Sequence, residues 1–122
     1  MSQLNAELYW MPTCSTCQKA KAFLEQHDVD VVSTHDMKET PLDKATIAKL
    51  ADKVGGVEAL FSKRAMKYRQ WGLNEKELSD NEMLDYMAQD YTFIKRPVIV
   101  FSNGEVTCGF SSKKLEATLK SL

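Results

Sequence analysis

At 122 residues the chain has room for one domain with a real hydrophobic core, and residues 1–122 read as that single domain. Its 43% apolar and 27% charged residues are the mix of an ordinary soluble globular protein, and a formal net charge of −1 argues against broad electrostatic binding of nucleic acid. No apolar run approaches membrane-spanning length, which excludes a helical membrane anchor, and no repeat, low-complexity run or linker interrupts the chain.

In chain order, Glu7 to Trp10 reads as a buried strand that ends in a turn at Met11-Pro12. The segment Pro12-Thr13-Cys14-Ser15-Thr16-Cys17-Gln18 then sets a Cys-x-x-Cys pair where the strand gives way to a helix. That helix is predicted from about Ser15 to His27, with Cys17, Ala20, Phe23 and Leu24 on one side. Cys14 then lies near the helix N-terminus, where unpaired N–H groups and the macrodipole favour an anion. Its thiol pKa falls and the nucleophilic thiolate is populated. Cys17, one turn further in, is placed to attack a mixed disulfide formed on Cys14.

Two bland readings stand beside this one. The pair could be half of a zinc site, but the remaining candidates Cys108, His27 and His35 form no second pair at zinc-finger spacing. A structural disulfide fits poorly with three cysteines, an odd count, and with an N-terminus that carries no apolar signal segment. Free thiols without an export signal point to a reducing cytoplasm.

Val29 to Ser33 is predicted as a second strand, rich in β-branched residues. Thr40-Pro41 is predicted to open a helix, with Pro41 in its first turn and Ile47, Leu50 and Val54 at helical spacing. Gly55-Gly56 breaks it, Val57 to Phe61 begins a shorter helix, and Gly72 supplies a helix exit. A helix from about Asp80 to Gln89 buries Met83, Leu84 and Met87. Val98-Ile99-Val100-Phe101 is an apolar strand, Ser102-Asn103-Gly104 a hairpin turn, and Glu105 to Cys108 the returning strand. Ser111 or Ser112 caps a final helix carrying Leu115, Leu119 and Leu122. The tyrosines 68, 86 and 91 and Trp71 suit core or helix packing better than base stacking, and His27 and His35 suit surface or capping positions.

The order β-α-β, several helices, then β-β-α defines an α/β fold. The first crossover makes a parallel pair and the late hairpin an antiparallel one, so the sheet is mixed and flanked by helices. This is a thioredoxin-like arrangement with a helical insertion between its halves.

Four pieces carry a resemblance over nearly the whole chain. They are Leu8-Tyr9 followed by Pro12-Thr13-Cys14 opening a Lys-rich helix, Arg64 in the middle segment, Ile94-Lys95-Arg96-Pro97 before an apolar strand, and Gly109-Phe110-Ser111. In this order and spacing they resemble the arsenate reductase/Spx family of thioredoxin-like proteins. The resemblance implies a thiol-dependent reduction of arsenate or a related oxyanion or disulfide, with Cys14 as nucleophile. Arg64 and Arg96 match the family's oxyanion-holding arginines, whose forked donors suit a tetrahedral anion. It implies no bound cofactor and no metal; electrons come from glutathione with glutaredoxin, or from thioredoxin. From the residues alone, Arg96 could equally be a solvated charge, and Arg64 sits in a run with Lys63, Lys67 and Arg69.

The chain departs from the glutaredoxin-coupled reductases at three places. Gly109 stands where they carry a third arginine, Trp10 where they carry a histidine, and Cys17 adds a second thiol to the loop. The last feature resembles the Spx branch, whose members bind the RNA polymerase α-subunit and sense oxidation through this pair. Gly56 aligns with a glycine of that contact, although glycine also occurs there in non-regulatory relatives. The alternative function is therefore an Spx-like redox-sensing regulator, and a third an inactive or glutathione-binding relative. Cys108 is read as a buried structural cysteine, with a resolving role as its alternative.

Overall fold

A computed structural model describes residues 4–121. The chain divides into two compact units, one formed by its two ends (up to Met37 and from Arg96 onward), the other by Lys38–Lys95.

The first unit holds the sheet. Strand β1 (Asn5–Trp10) leads into helix α1 (Ser15–Gln26), which returns to β2 (Asp30–Asp36); after the second unit come β3 (Val98–Phe101), β4 (Val106–Cys108) and α6 (Ser112–Ser121). The four strands lie in the order β2-β1-β3-β4. Strands β1 and β2 are parallel, with Leu8 opposite Thr34, whereas β3 runs antiparallel to both β1 (Ile99 opposite Leu8) and β4 (Val98 opposite Cys108). Residues two apart on a strand share a face. Ala6 and Leu8 of β1 and Ile99 and Phe101 of β3 therefore form one apolar surface, on which Leu24 of α1, Val29 and Leu115 of α6 pack. That cluster is the core of this unit. The mixed sheet, the parallel β-α-β start and the late hairpin are as the sequence predicts.

Boundaries differ at β2, β4 and α1. Strand β2 extends to Asp36, beyond the predicted Ser33, because Thr34, His35 and Asp36 pair with Leu8, Tyr9 and Trp10. Strand β4 begins at Val106, with Glu105 still in the turn, where its N–H is held by the Asn103 side chain at 3.1 Å. Helix α1 stops at Gln26, and the exposed His27 is its C-cap. Ser111 caps α6, its hydroxyl accepting from the Lys114 N–H at 3.4 Å. Leu115 is buried and Leu119 packs on the core; Leu122 lies outside the described residues.

The second unit is helical: α2 (Lys44–Lys53), α3 (Val57–Leu60), α4 (Met66–Gln70) and α5 (Asp80–Gln89), with short 3-10 turns at Leu73–Glu75 and Tyr91–Phe93. Pro41 does not open α2. The helix starts three residues later, where the Asp43 carboxylate accepts from the Thr46 N–H at 2.8 Å and satisfies one of the orphan donors. Helix α5 runs over its predicted span because Ser79 and Glu82 form a reciprocal capping box. Its Met83 and Met87 are buried, while Leu84 is only half-buried. The centre of the unit is aromatic. Phe61 and Phe93 stack at 5.5 Å and 6°, with Tyr68 edge-on to Phe61 and both Trp71 and Tyr86 tilted against Phe93. Backbone bonds from Ser62 N–H to Phe93 carbonyl (2.6 Å) and from Lys95 N–H to Leu60 carbonyl (2.9 Å) fix the two phenylalanines in register. Among the described residues no helix is long and apolar enough to cross a membrane.

Candidate functional site

The turn between β1 and α1 is built to present Cys14. The Cys14 N–H donates to the Met11 carbonyl at 3.0 Å, closing the turn, and the Cys14 carbonyl accepts from the Gln18 N–H at 3.0 Å as the helix begins. Cys14 itself is the N-cap of α1. Its backbone is extended, with φ −82° and ψ 116°, and its sulfur accepts from the Cys17 N–H at 3.4 Å. A position usually filled by a serine, threonine, asparagine or aspartate oxygen is filled by sulfur. Gln18, four residues on, reaches back from the first turn and donates from its side-chain amide to the Pro12 carbonyl, clamping the loop that carries the thiol. Sequence reasoning did not single out Gln18; its signal is a side-chain donor one helical turn beyond the cysteine.

The two thiols are electrostatically unequal. Burial pushes Cys14 up, but hydrogen bonds from the Cys17 thiol and N–H, the positive charge of Arg96 and the Thr16 N–H together outweigh it. Cys14 consequently lies below the ordinary thiol value. Cys17 is fully buried, and burial, the hydrogen bond it gives to Cys14 and repulsion by a Cys14 thiolate push it up to about 12, against smaller opposing contributions from the Met11 N–H and Arg96. Cys14 is half-buried and so remains reachable.

Arg96 is brought to this pair by the strand that follows it. The Arg96–Pro97 peptide is cis. Val98 enters β3 directly afterwards, and the Pro97 carbonyl accepts from the Gly109 N–H at 3.0 Å, tying the start of β3 to the end of β4. Arg96 is half-buried, with its Nε shielded from solvent, and its charge acts on both sulfurs. Cys14, Cys17 and Arg96 therefore meet in one place. Arg64 belongs to the other unit, where it is exposed in the turn ahead of α4. Cys108, expected to be buried, is instead half-buried because it ends β4, opposite Val98. Gly109 has φ +73°, a left-handed conformation that costs an L-residue such as arginine roughly 1 kcal/mol or more. Trp10 accepts from the Met37 N–H through its carbonyl and packs on the core of its unit. Among the described residues no group of three or more His, Cys, Asp or Glu side chains is arranged to hold a metal ion.

The inequality of the thiols has a direct readout. Titrating alkylation by iodoacetamide against pH, with mass-spectrometric peptide mapping, should show Cys14 modified at a pH where an ordinary thiol is still protonated. Cys17 should stay unmodified in the folded protein up to strongly alkaline pH, because its thiolate is suppressed and its sulfur buried. Both cysteines titrating alike near about pH 8.5, the value of a free thiol, would mean that the N-cap and Arg96 do not act on Cys14.

A cysteine held below the ordinary thiol value at the head of the first helix of a mixed four-stranded sheet, with an arginine beside it, defines a thioredoxin-like domain. Residues 9–118 match the family model described as the ArsC family, and the chain belongs to that family. The Bacillus subtilis protein YusI, described as uncharacterised, is 37% identical over 117 residues, covering 93% of this chain and 97% of YusI. The global transcriptional regulator Spx of Streptococcus mutans is 28% identical over 113 residues, covering 92% of this chain and 81% of Spx. Among solved structures, the arsenate reductase of Vibrio cholerae superposes with a TM-score of 0.81 over 95% of this chain and 98% of its own, at 23% identity, a likeness of fold.

Proposed function

We propose that this protein is a thiol-dependent oxidoreductase of the arsenate reductase type, acting on arsenate or a related oxyanion. The observation that carries the reading is the Cys14 sulfur, which caps α1, lies under the charge of Arg96 and is held below the ordinary thiol pKa. In the proposed step the Cys14 thiolate attacks protonated arsenate and a sulfur–arsenic bond forms, while one arsenate hydroxyl takes up a proton from solvent and leaves as water. A second thiolate, from glutathione or from Cys17, then attacks the Cys14 sulfur. The sulfur–arsenic bond breaks and its electron pair stays on arsenic, which departs as arsenite while the two thiols are oxidised to a disulfide. Glutaredoxin or thioredoxin returns the disulfide to thiols. Arg96 holds the oxyanion and offsets its repulsion of the thiolate. Attack requires the thiolate, which burial disfavours at Cys17.

A second reading has its own observation. The Cys17 thiol donates a hydrogen bond to the Cys14 sulfur, so the two stand within reach for a disulfide, and the chain shares 28% identity with an Spx regulator. In that reading the pair senses oxidation, and the partner is the RNA polymerase α-subunit.

One experiment separates the two. Arsenate-dependent NADPH oxidation is measured with glutathione and glutaredoxin, and separately with thioredoxin and its reductase, for the wild type and Cys14→Ser. The same proteins, reduced and peroxide-treated, are offered to the immobilised C-terminal domain of the α-subunit. Turnover in either system that vanishes in Cys14→Ser supports the reductase. Capture by the α-subunit that depends on oxidation, without turnover, makes the regulator the better account.

A further inference from the structure

Cys14 and Cys17 offer two sulfurs at one turn of the chain. The Cys14 sulfur folds over the start of α1, accepting from the Cys17 N–H at 3.4 Å and from the Cys17 thiol. Access to the two is unequal: Cys17 is fully buried, whereas Cys14 is half-buried. A ligand that bonds both sulfurs must therefore arrive on Cys14 and be passed inward.

The donor set narrows what that ligand is. Among the described residues no group of three or more His, Cys, Asp or Glu side chains is arranged to hold a metal ion. Structural zinc takes four protein ligands and catalytic zinc three, so two sulfurs do not suit it. A linear two-coordinate cation holds its sulfurs on opposite sides of itself, whereas these two are in hydrogen-bond contact. A trivalent pyramidal centre fits both constraints. Its bonds lie near right angles, which keeps two sulfurs close together, and it brings its own third substituent. Trivalent arsenic is such a centre, and it bonds thiol sulfur readily.

We propose that Cys14 and Cys17 together chelate trivalent arsenicals, forming a capture site that needs no change of oxidation state. In the first step the Cys14 thiolate bonds to arsenic, and one arsenic-bound hydroxyl takes a proton from solvent and leaves as water. In the second, the Cys17 sulfur bonds to the same arsenic, and its proton goes to a second hydroxyl, which also leaves as water. Arsenic stays trivalent and no electrons move. Burial pushes Cys17 up to about 12, yet no free thiolate is required, because its proton departs with the hydroxyl. The second bond is intramolecular, which raises affinity over a single thiol by roughly 100- to 10,000-fold. A trivalent arsenical is uncharged near neutral pH and so, unlike arsenate, presents no anion for Arg96 to hold. The chelate occupies both thiols and therefore competes with their disulfide. It shares these sulfurs with the proposed reductase but none of its electron transfer.

The probe is phenylarsine oxide, whose phenyl group is the third substituent, added to the reduced full chain. Intact-mass spectrometry should show a single adduct with the mass of the probe less one water, the sign of two sulfur–arsenic bonds. After unfolding in urea, iodoacetamide should label Cys108 but neither Cys14 nor Cys17. The adduct should survive excess glutathione and be removed by dithiothreitol. Affinity should fall at least about 100-fold in Cys14→Ser and in Cys17→Ala. The mass and labelling readings use the wild type alone, so they decide the matter even where a variant at the buried Cys17 fails to fold. An adduct with the full mass of the probe, labelling of Cys14 or Cys17, protection of Cys108, or loss of the adduct to glutathione overturns the proposal. Undiminished affinity in Cys17→Ala does the same. Arsenate turnover is measured on the same protein. Turnover without the chelate overturns capture and leaves the reductase reading standing, whereas the chelate without turnover supports capture alone.

Discussion

If the protein reduces arsenate as proposed, replacing Arg96 by alanine should lower kcat/KM for arsenate by about 10- to 150-fold for each charge-assisted hydrogen bond lost, the equivalent of roughly 1.5–3 kcal/mol per bond. Two effects of the guanidinium disappear together. The forked donor pair leaves the oxyanion, and the charge that helps hold Cys14 below the ordinary thiol range is gone. These can be told apart. The second effect moves the pH dependence of turnover and of Cys14 alkylation to more alkaline values, because a Cys14 without its cation ionises later. Arg96→Lys should keep much of the pH profile, since the charge remains, yet still lose turnover because an ammonium cannot reproduce a planar fork. Arsenate turnover that survives Arg96→Ala with an unchanged pH profile would remove this residue from the chemistry.

The second large effect is on stability. Phe93 is fully buried, stacked on Phe61 and flanked by Trp71 and Tyr86. Truncation to alanine removes a ring that three aromatic neighbours would have to collapse around, and a cost of about 3–5 kcal/mol is expected. Phe93→Leu keeps most of the volume and should cost about 1–2 kcal/mol. Urea unfolding followed by Trp71 fluorescence, in a Trp10→Phe background, reports on this unit directly. A Phe93→Ala midpoint indistinguishable from the parent would mean that the aromatic stack is not what holds residues 38–95 together.

How much of this was legible in the sequence depends on whether the signal is local. Helix α5 was readable because Ser79 and Glu82 cap it with their own side chains, three residues apart. Strand β3 was readable because four consecutive apolar residues, three of them buried, are bounded by Pro97 and a turn. The start of α2 was misread because proline is a permissive helix opener, whereas an aspartate accepting from an N–H three residues on is a positive one. The far half of β2 was missed because Thr34-His35-Asp36 carries no strand composition; its backbone is recruited by β1, a partner distant in sequence. The same division runs through the site. Cys14 and Cys17 announce themselves by spacing and by the helix that follows. The aim of Arg96 depends on β3 pairing with β1 and β4, which a linear pattern contains only through family resemblance. The Gln18 clamp depends on a loop path that spacing alone does not reveal.

The sulfur offered for chemistry is also the atom that closes the first helix of the sheet unit, and this couples proton binding to folding. Because Cys14 ionises more readily folded than unfolded, its anion contributes stability fully only above the unfolded thiol value. That contribution is lost as pH falls through the lower folded value, when the proton returns and the cap weakens. Any covalent state of Cys14 that removes its negative charge, an arsenic adduct or a disulfide alike, should weaken the cap of α1 in the same way at any pH. The N–H groups of Thr16 and Cys17 thereby become an internal gauge of what is bonded to the sulfur.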